Sequence, residues 1–237
     1  MSFYGTDHPP AREVDPTMPE QDGAQVLDDV RALLARFVSF PDEHTLDATT
    51  LWAAHTHALD AFDTSPRLAF LSPEPGSGKT RALEILELLV VRPLLTVNVT
   101  PAYLFRKVSD EAGPPTLLYD EIDTVFGPKA KDNEDIRGML NSGYRKGATA
   151  GRCVIKGKTV ETEELPSYAA VALAGLDDLP DTIQTRSIVV RMRRRAPHEV
   201  GAQMTHDTNS PLQRADADAR AAFGVGIGEC SWPMKTV

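Results

Sequence analysis

Residues 72–86 read SPEPGSGKTRALEIL, and this stretch limits the possible folds more than any other part of the chain. Gly78-Lys79-Thr80 completes the pattern G-x-x-x-x-G-K-[ST] at every defined position but the first, where Pro73 stands in place of glycine. Gly76 and Gly78 allow backbone angles that turn successive N–H groups inward toward an anion. Lys79 is long enough to reach β- and γ-phosphate oxygens, and Thr80 offers a hydroxyl to Mg²⁺. A helix starting at Gly78 adds the positive end of its dipole. Pro75, Gly76 and Ser77 thus shape a candidate nucleotide cradle, with Gly78, Lys79, Thr80 and Arg81 at its helical end. Proline has a fixed φ and no N–H, but position 73 is where the chain leaves the strand, away from the phosphates. The pattern carries this meaning only between a strand and a helix. Apolar Arg67–Leu71 precedes it, and helical spacing follows through Leu89.

A second element has matching chemistry. Leu117-Leu118-Tyr119-Asp120-Glu121 is a buried-strand pattern ending in two acids, with Asp120 lying 41 positions after Lys79. Asp120 can hold Mg²⁺ through its water shell, and Glu121 can polarise an attacking water. Together the two elements predict a nucleoside triphosphate site, with ATP and Mg²⁺ the expected ligands, Thr80 and Asp120 the metal-holding groups, and Lys79 and Glu121 catalytic. The adjacent glutamate also argues against a small-molecule kinase, where the substrate is the phosphate acceptor.

The surrounding pattern alternates strands and helices. Expected strands are 67–71, 94–99, 116–119, 168–174 and 187–192, with helices over 78–89, 100–108 and 132–144. This order implies an α/β fold with a mostly parallel five-stranded sheet flanked by helices. Two amphipathic helices, from Ala24 to about Val38 and from about Thr45 to Phe62, come first. His55 and His57 diverge on such a helix, which makes them packing or surface residues rather than metal ligands. Residues 152–164 alternate around Lys156-Gly157-Lys158, a hairpin pattern. Residues 1–23 and 196–237 hold few large apolar side chains and are expected to be poorly structured tails, leaving a helical segment at 24–66 and a core at 67–195. Two cysteines give no disulfide framework, and no apolar run approaches the roughly 20 residues of a membrane span, so the expected setting is reduced and cytoplasmic, with no membrane partner. The net charge of −9 is local: residues 1–66 hold 12 of the 34 acidic and 3 of the 25 basic residues, and the remaining 22 of each sign balance. Acidity therefore does not oppose a polyanionic partner for the core.

A third element is YAAVALAG followed by LDDLPDTIQTRSIVVRM. Strand, short helix and arginine precede the last core strand in ring-forming ATPases of the AAA+ type, and Arg186 stands at that arginine's place. From about Val26 to Glu199 the chain resembles a family of P-loop ATPases of bacteria and phages associated with primase and other replication proteins. The resembling stretches are SPEPGSGKTRALE, VNVTPAYLFRKV, LYDEIDTVFGPKAKDNEDIRGMLN, GRCV-KGKTVETEELP and ALAGLDDLPDTIQTRSIVVRMRRRAP. The resemblance implies an AAA+-like, helicase-like ATPase; if Arg186 reaches into a neighbour's site as an arginine finger, the chain is expected to form a homo-oligomeric ring, and the alternative is a helix-end arginine that bonds local carbonyls. Two departures stand out. Ala174 and Gly175 occupy the strand end where an Asn or Thr would serve as a sensor, and the lid that the resemblance implies after 195 is not expected from residues 196–237. Several DNA-translocating ring ATPases carry a pore hairpin at the place of the 152–164 pattern, which makes Lys156, Lys158 and Arg152 candidate DNA contacts; a basic hairpin can equally be a solvated edge. The alternative to a DNA-dependent motor is a nucleotide-dependent interaction protein that hydrolyses weakly and docks a partner.

Overall fold

A computed structural model describes residues 22–97, 99–126, 134–156, 159–176 and 178–195, with the backbone alone for 152–156, 159–161 and 163. The expected tails at 1–23 and 196–237, apart from Asp22 and Gly23, lie outside the described residues, as do Gly157 and Lys158. Two helices come first, α1 (Gly23–Phe37) and α2 (Glu43–His57), then a 3-10 turn at Leu59–Ala61. The core follows as β1 (Arg67–Leu71), α3 (Lys79–Glu87), β2 (Pro93–Thr96), α4 (Pro101–Val108), β3 (Thr116–Tyr119), α5 (Asp123–Phe126) and α6 (Glu134–Ser142). An excursion, β4 (Thr149–Lys156) and β5 (Thr159–Pro166), precedes β6 (Val171–Gly175), α7 (Asp181–Gln184) and β7 (Ser187–Arg191). Five strands form one sheet in the order β2-β3-β6-β1-β7, and every pair is parallel. Among the described residues, no helix is long and apolar enough to cross a membrane.

The sheet is covered on both faces, as parallel strands joined by helices require. Every residue of β1 is buried. Leu68 and Phe70 enter one apolar cluster with Val30, Leu34, Trp52 and Leu83, whereas Ala69 and Leu71 enter the other with Leu104, Ile136, Leu140 and Ile183. The alternation is that of a strand packed on both sides. Because α1 and α2 fill the first cluster, the helical segment shares its core with the sheet rather than standing apart. Its caps are local: the Asp22 carboxylate accepts from Ala24 N–H, and Asp42 from Thr45 N–H at 2.8 Å. The second helix starts two residues earlier than its apolar spacing suggests because Asp42 caps it, and it stops at His57, giving way to the 3-10 turn.

Long-range hydrogen bonds bind the helical segment to the core. Trp52 Nε1 donates to the Pro66 carbonyl at 2.8 Å, and the Tyr168 hydroxyl donates to Leu59 and Phe62 carbonyls at 3.2 and 2.9 Å. Lys146 gives its Nζ to the Asp60 carbonyl at 2.6 Å. His55 and His57 are packing residues, as their spacing predicts. His55 Nε2 lies 3.0 Å from Ser65 Oγ, and His57 Nε2–H donates to the buried Leu89 carbonyl at 2.8 Å.

Arg67 opens β1, which lies between β6 and β7, with its side chain fully buried. Nε and Nη2 donate to the Leu140 carbonyl at 3.3 and 3.0 Å, and Nη1 to the Ala169 carbonyl at 2.7 Å. Burial, the main cause, pushes its pKa down to about 9, so the group stays charged at neutral pH. It sits against the last turn of α6, where the helix dipole favours a cation. Arg67→Ala leaves two buried carbonyls without a donor and a void. An unfolding titration in urea is expected to show a loss of about 3–5 kcal/mol.

Burial lowers the pKa of His57 below the ordinary histidine value of 6.5, opposed in part by the bond to Leu89. His55 moves the same way through burial. With folded values below unfolded ones, the unfolded chain binds more protons just under pH 6.5, so stability falls as pH drops through that window. Unfolding free energies at pH 7.5 and 5.5 should show this decline, and His57→Gln should flatten it.

Candidate functional site

Parallel pairing brings the carboxyl ends of β1, β6 and β3 to one edge, and the chemically distinctive residues leave from there. The chain rises from Leu71 through Ser72–Gly78 and enters α3 at Lys79. Gly76 and Gly78 have φ of +72° and +87°. A Cβ on Gly76 would meet nothing within 4 Å, so conformation rather than space demands glycine there. Among the described residues no side chain caps α3, whose N-cap is Gly78, and a helix start of this kind can offer its first-turn amides to an outside acceptor. Pro73 is exposed at the start of the loop, where it meets no conflict.

Lys79 folds back over this loop. Its Nζ donates to the carbonyls of Ser72 and Glu74 at 3.3 and 3.1 Å and to Ser77 Oγ at 3.1 Å. Partial burial lowers its pKa, opposed by the carboxylates of Asp123 and then Asp120. The lysine's partners are thus oxygens of its own loop, the same kind of acceptor that a phosphate would present. Arg81 faces along α3 instead, paired with Glu84 at 3.1 Å.

The two sequence elements meet directly. Thr80 Oγ1–H donates to Asp120 Oδ2 at 2.8 Å, across 40 positions of chain. Asp120 Oδ1 accepts from the Glu121 N–H at 2.9 Å. Glu121 itself is exposed and has φ of +54°, a left-handed conformation that a residue with a Cβ adopts at a cost. The turn after β3 therefore holds Glu121 in a defined and unfavourable backbone state next to the loop. A hydroxyl and a carboxylate oxygen at this spacing are hard donors suited to Mg²⁺, which takes few protein ligands and completes its shell with water and phosphate. Among the described residues, no three His, Cys, Asp or Glu side chains cluster to hold a metal alone.

Asp123 belongs to the site and was missed as a candidate. Its Oδ2 accepts from Leu176 N–H at 2.8 Å. Gly175, ending β6, has no room for a side chain: a Cβ would lie 2.7 Å from Ile122 Cγ2 and 3.1 Å from Asp123 Oδ1. The polar group at this strand end therefore comes from the neighbouring turn rather than from β6. The signal was available in the absence of a polar residue at 174–175 and in the extra acid of LYDEID.

Arg186 is not at this edge. It precedes β7, whose Ser187 pairs with Arg67 at the amino end of β1. That lies a strand length of roughly 16 Å from the loop. Its Nη1 donates to the Asn141 carbonyl at 2.8 Å, and its guanidinium lies 4.4 Å from the Tyr144 ring centroid. Arg186 thus ties the end of α6 next to Arg67, and any approach to a nucleotide would be to that of another chain. The hairpin lies apart as a two-stranded antiparallel sheet, paired from Thr149↔Pro166 to Lys156↔Thr159. Its register sets Arg152 opposite Glu163, and Lys158 lies outside the described residues. A groove of about 500 Å³ runs between α4, α6 and β4, lined by Phe105, Glu134 and Met139 among others, away from the loop.

No protein-family model matches the chain, and no curated protein matches it.

Arg186→Ala removes a charge-assisted bond and a ring contact. The expected cost is about 1–2 kcal/mol in urea unfolding, with Arg186→Lys recovering part. A variant as stable as the parent would relieve Arg186 of this local duty.

Proposed function

We propose that the chain is a P-loop, AAA+-like protein that binds ATP with Mg²⁺ and hydrolyses it. The observation that carries this reading is the 2.8 Å bond from Thr80 to Asp120, which joins the glycine-rich loop to the acidic strand end beside Lys79. Two motifs 40 positions apart that meet hydroxyl to carboxylate are hard to account for by chance. The parallel α/β sheet is compatible with this class of fold.

The roles follow from the donors. Gly76 and Gly78 keep the loop amides turned inward, and the uncapped start of α3 accepts the anion. Lys79 exchanges the carbonyls of Ser72 and Glu74 for phosphate oxygens. Thr80 and Asp120 are the groups that would hold Mg²⁺, which when bound screens the phosphate charge. Glu121 accepts a proton from the water whose oxygen bonds to the γ-phosphorus, while the bond to the bridging oxygen breaks and ADP leaves. Asp123 keeps the β6 end against this turn.

DNA is the proposed partner of the motor reading, met through Lys156, Lys158 and Arg152 on the hairpin, with six tips facing a ring pore. Residues 149–166 hold three basic and three acidic residues, so the basic character is confined to the turn. That balance, with Arg186 engaged inside its own chain, favours the second reading, an ATP-dependent docking protein with slow turnover.

ATP binding and turnover separate these readings when measured with and without single-stranded DNA. Lys79→Ala should abolish binding. Glu121→Gln should keep binding and lower turnover by about 10²–10⁴, the range for a general base. Stimulation by DNA supports the motor; binding and basal turnover unchanged by DNA support docking; a parent that binds no ATP overturns both.

A further inference from the structure

The chain leaves β7 along the edge from which the glycine-rich loop rises. Met192 N–H donates to the Leu71 carbonyl at 2.8 Å, extending the β1–β7 ladder past the last strand residue. Its Cε would stand 3.7 Å from a Cβ on Gly78. Two residues on, Arg194 Nε donates to the Pro75 carbonyl at 2.9 Å, and the same nitrogen lies 3.9 Å from Glu74 Oε2. The segment after β7 is thus a wall against the loop, apolar at Gly78 and cationic at its outer turn. In the same arginine-rich stretch Arg191 turns elsewhere, to Asp178 at 2.5 Å.

The loop has reason to need this wall. Two glycines at positive φ make it costly to order. Its internal ties include Lys79, whose partners are Ser72, Glu74 and Ser77 oxygens, and the Ser72 hydroxyl, which accepts from Glu74 N–H at 3.2 Å. A phosphate would take the Lys79 ammonium and dissolve its bonds at the moment when the loop amides must hold their aim. The bond from Arg194 comes from a different element and need not be given up.

We propose that Arg194 is a positioning residue for the nucleotide: it fixes the outer turn of the loop at Pro75, so that the amides of Gly76–Thr80 stay turned inward when Lys79 lets go. The ordering of the loop stands on the contacts alone, whereas its use for a nucleotide rests on the ATP reading above. Arg194 is 61 % exposed, so its truncation should leave the fold intact.

The test compares the parent with Arg194→Ala, Arg194→Lys and Lys79→Ala, and uses Arg195→Ala as the exposed control. Hydrogen exchange of the amides at 74–80 is followed without nucleotide, and Kd for ADP and ATP is measured by titration calorimetry, with kcat and KM alongside. In Arg194→Ala the loop amides should exchange about threefold to tenfold faster, and both nucleotides should bind weaker by a similar factor with kcat kept. Arg194→Lys should recover part of both, and Arg195→Ala should match the parent. Parent-like exchange in Arg194→Ala, or parent-like Kd values for both nucleotides, overturns the proposal alone. A loss confined to ATP overturns it by making Arg194 a group that touches the γ-phosphate. A parent that binds neither nucleotide, like Lys79→Ala, overturns the ATP reading and this proposal together.

Discussion

Parallel pairing of β1 with β6 on one side and β7 on the other fixes where the rest of the molecule stands. Because these strands run the same way, their carboxyl ends share an edge, and the register Leu71↔Gly175 and Leu71↔Arg191 aligns them. The loop leaves β1 there, the Asp123 anchor meets β6 there, and the Met192–Arg194 wall leaves β7 there. One step further, Leu118↔Ala172 aligns β3, so that Asp120 emerges beside the same edge. A slip of one residue would reverse the faces of every strand side chain and break both apolar clusters.

The opposite edge is anchored by charge. Arg67 and Arg186 both donate to carbonyls of the last turn of α6, through Leu140 and Asn141. Two cations at one helix end repel, and Arg186 helps lower the pKa of Arg67. The arrangement persists because Arg67 satisfies two carbonyls that would otherwise be buried without donors, and Arg186 satisfies a part-buried one. It also ties α6, which leads into the β4–β5 excursion, to the strand that carries the loop. A displacement of α6 would therefore be felt at both arginines.

At the loop edge the polar and charged groups rest on oxygens of the chain itself. Lys79 rests on loop oxygens, Thr80 rests on Asp120, and the first amides of α3 have no side-chain cap. Lys79 and Thr80 each have an oxygen of the chain as partner, so an incoming anion would exchange bonds there rather than leave a charge unpaired. The strained Glu121 backbone is a local cost borne by the tight packing around Ile122, which is buried and bonded through its N–H to Ala174.

The α/β class, the order of core elements and the pairing of the two motifs were legible in the sequence, because each depends on local patterns: apolar runs, helical spacing, glycines before Lys79, and two acids after a strand. Boundaries shifted where short-range capping or packing decided, as at Asp42 and at β2, which ends at Thr96. The sequence also indicated that β6 lacks a polar end, but not that Asp123 takes its place, since that depends on Gly175 having no room for a side chain. The burial of Arg67 and the contact of Arg194 with Pro75 were likewise not readable, and for Arg186 the sequence left a local helix-end role and a reach to a neighbour both open. An arginine looks the same in a sequence whether it faces solvent, a helix end or a loop 119 positions away. Motif chemistry is written in neighbours along the chain, whereas the partners of a long cationic side chain are set by which strand ends the tertiary fold brings together.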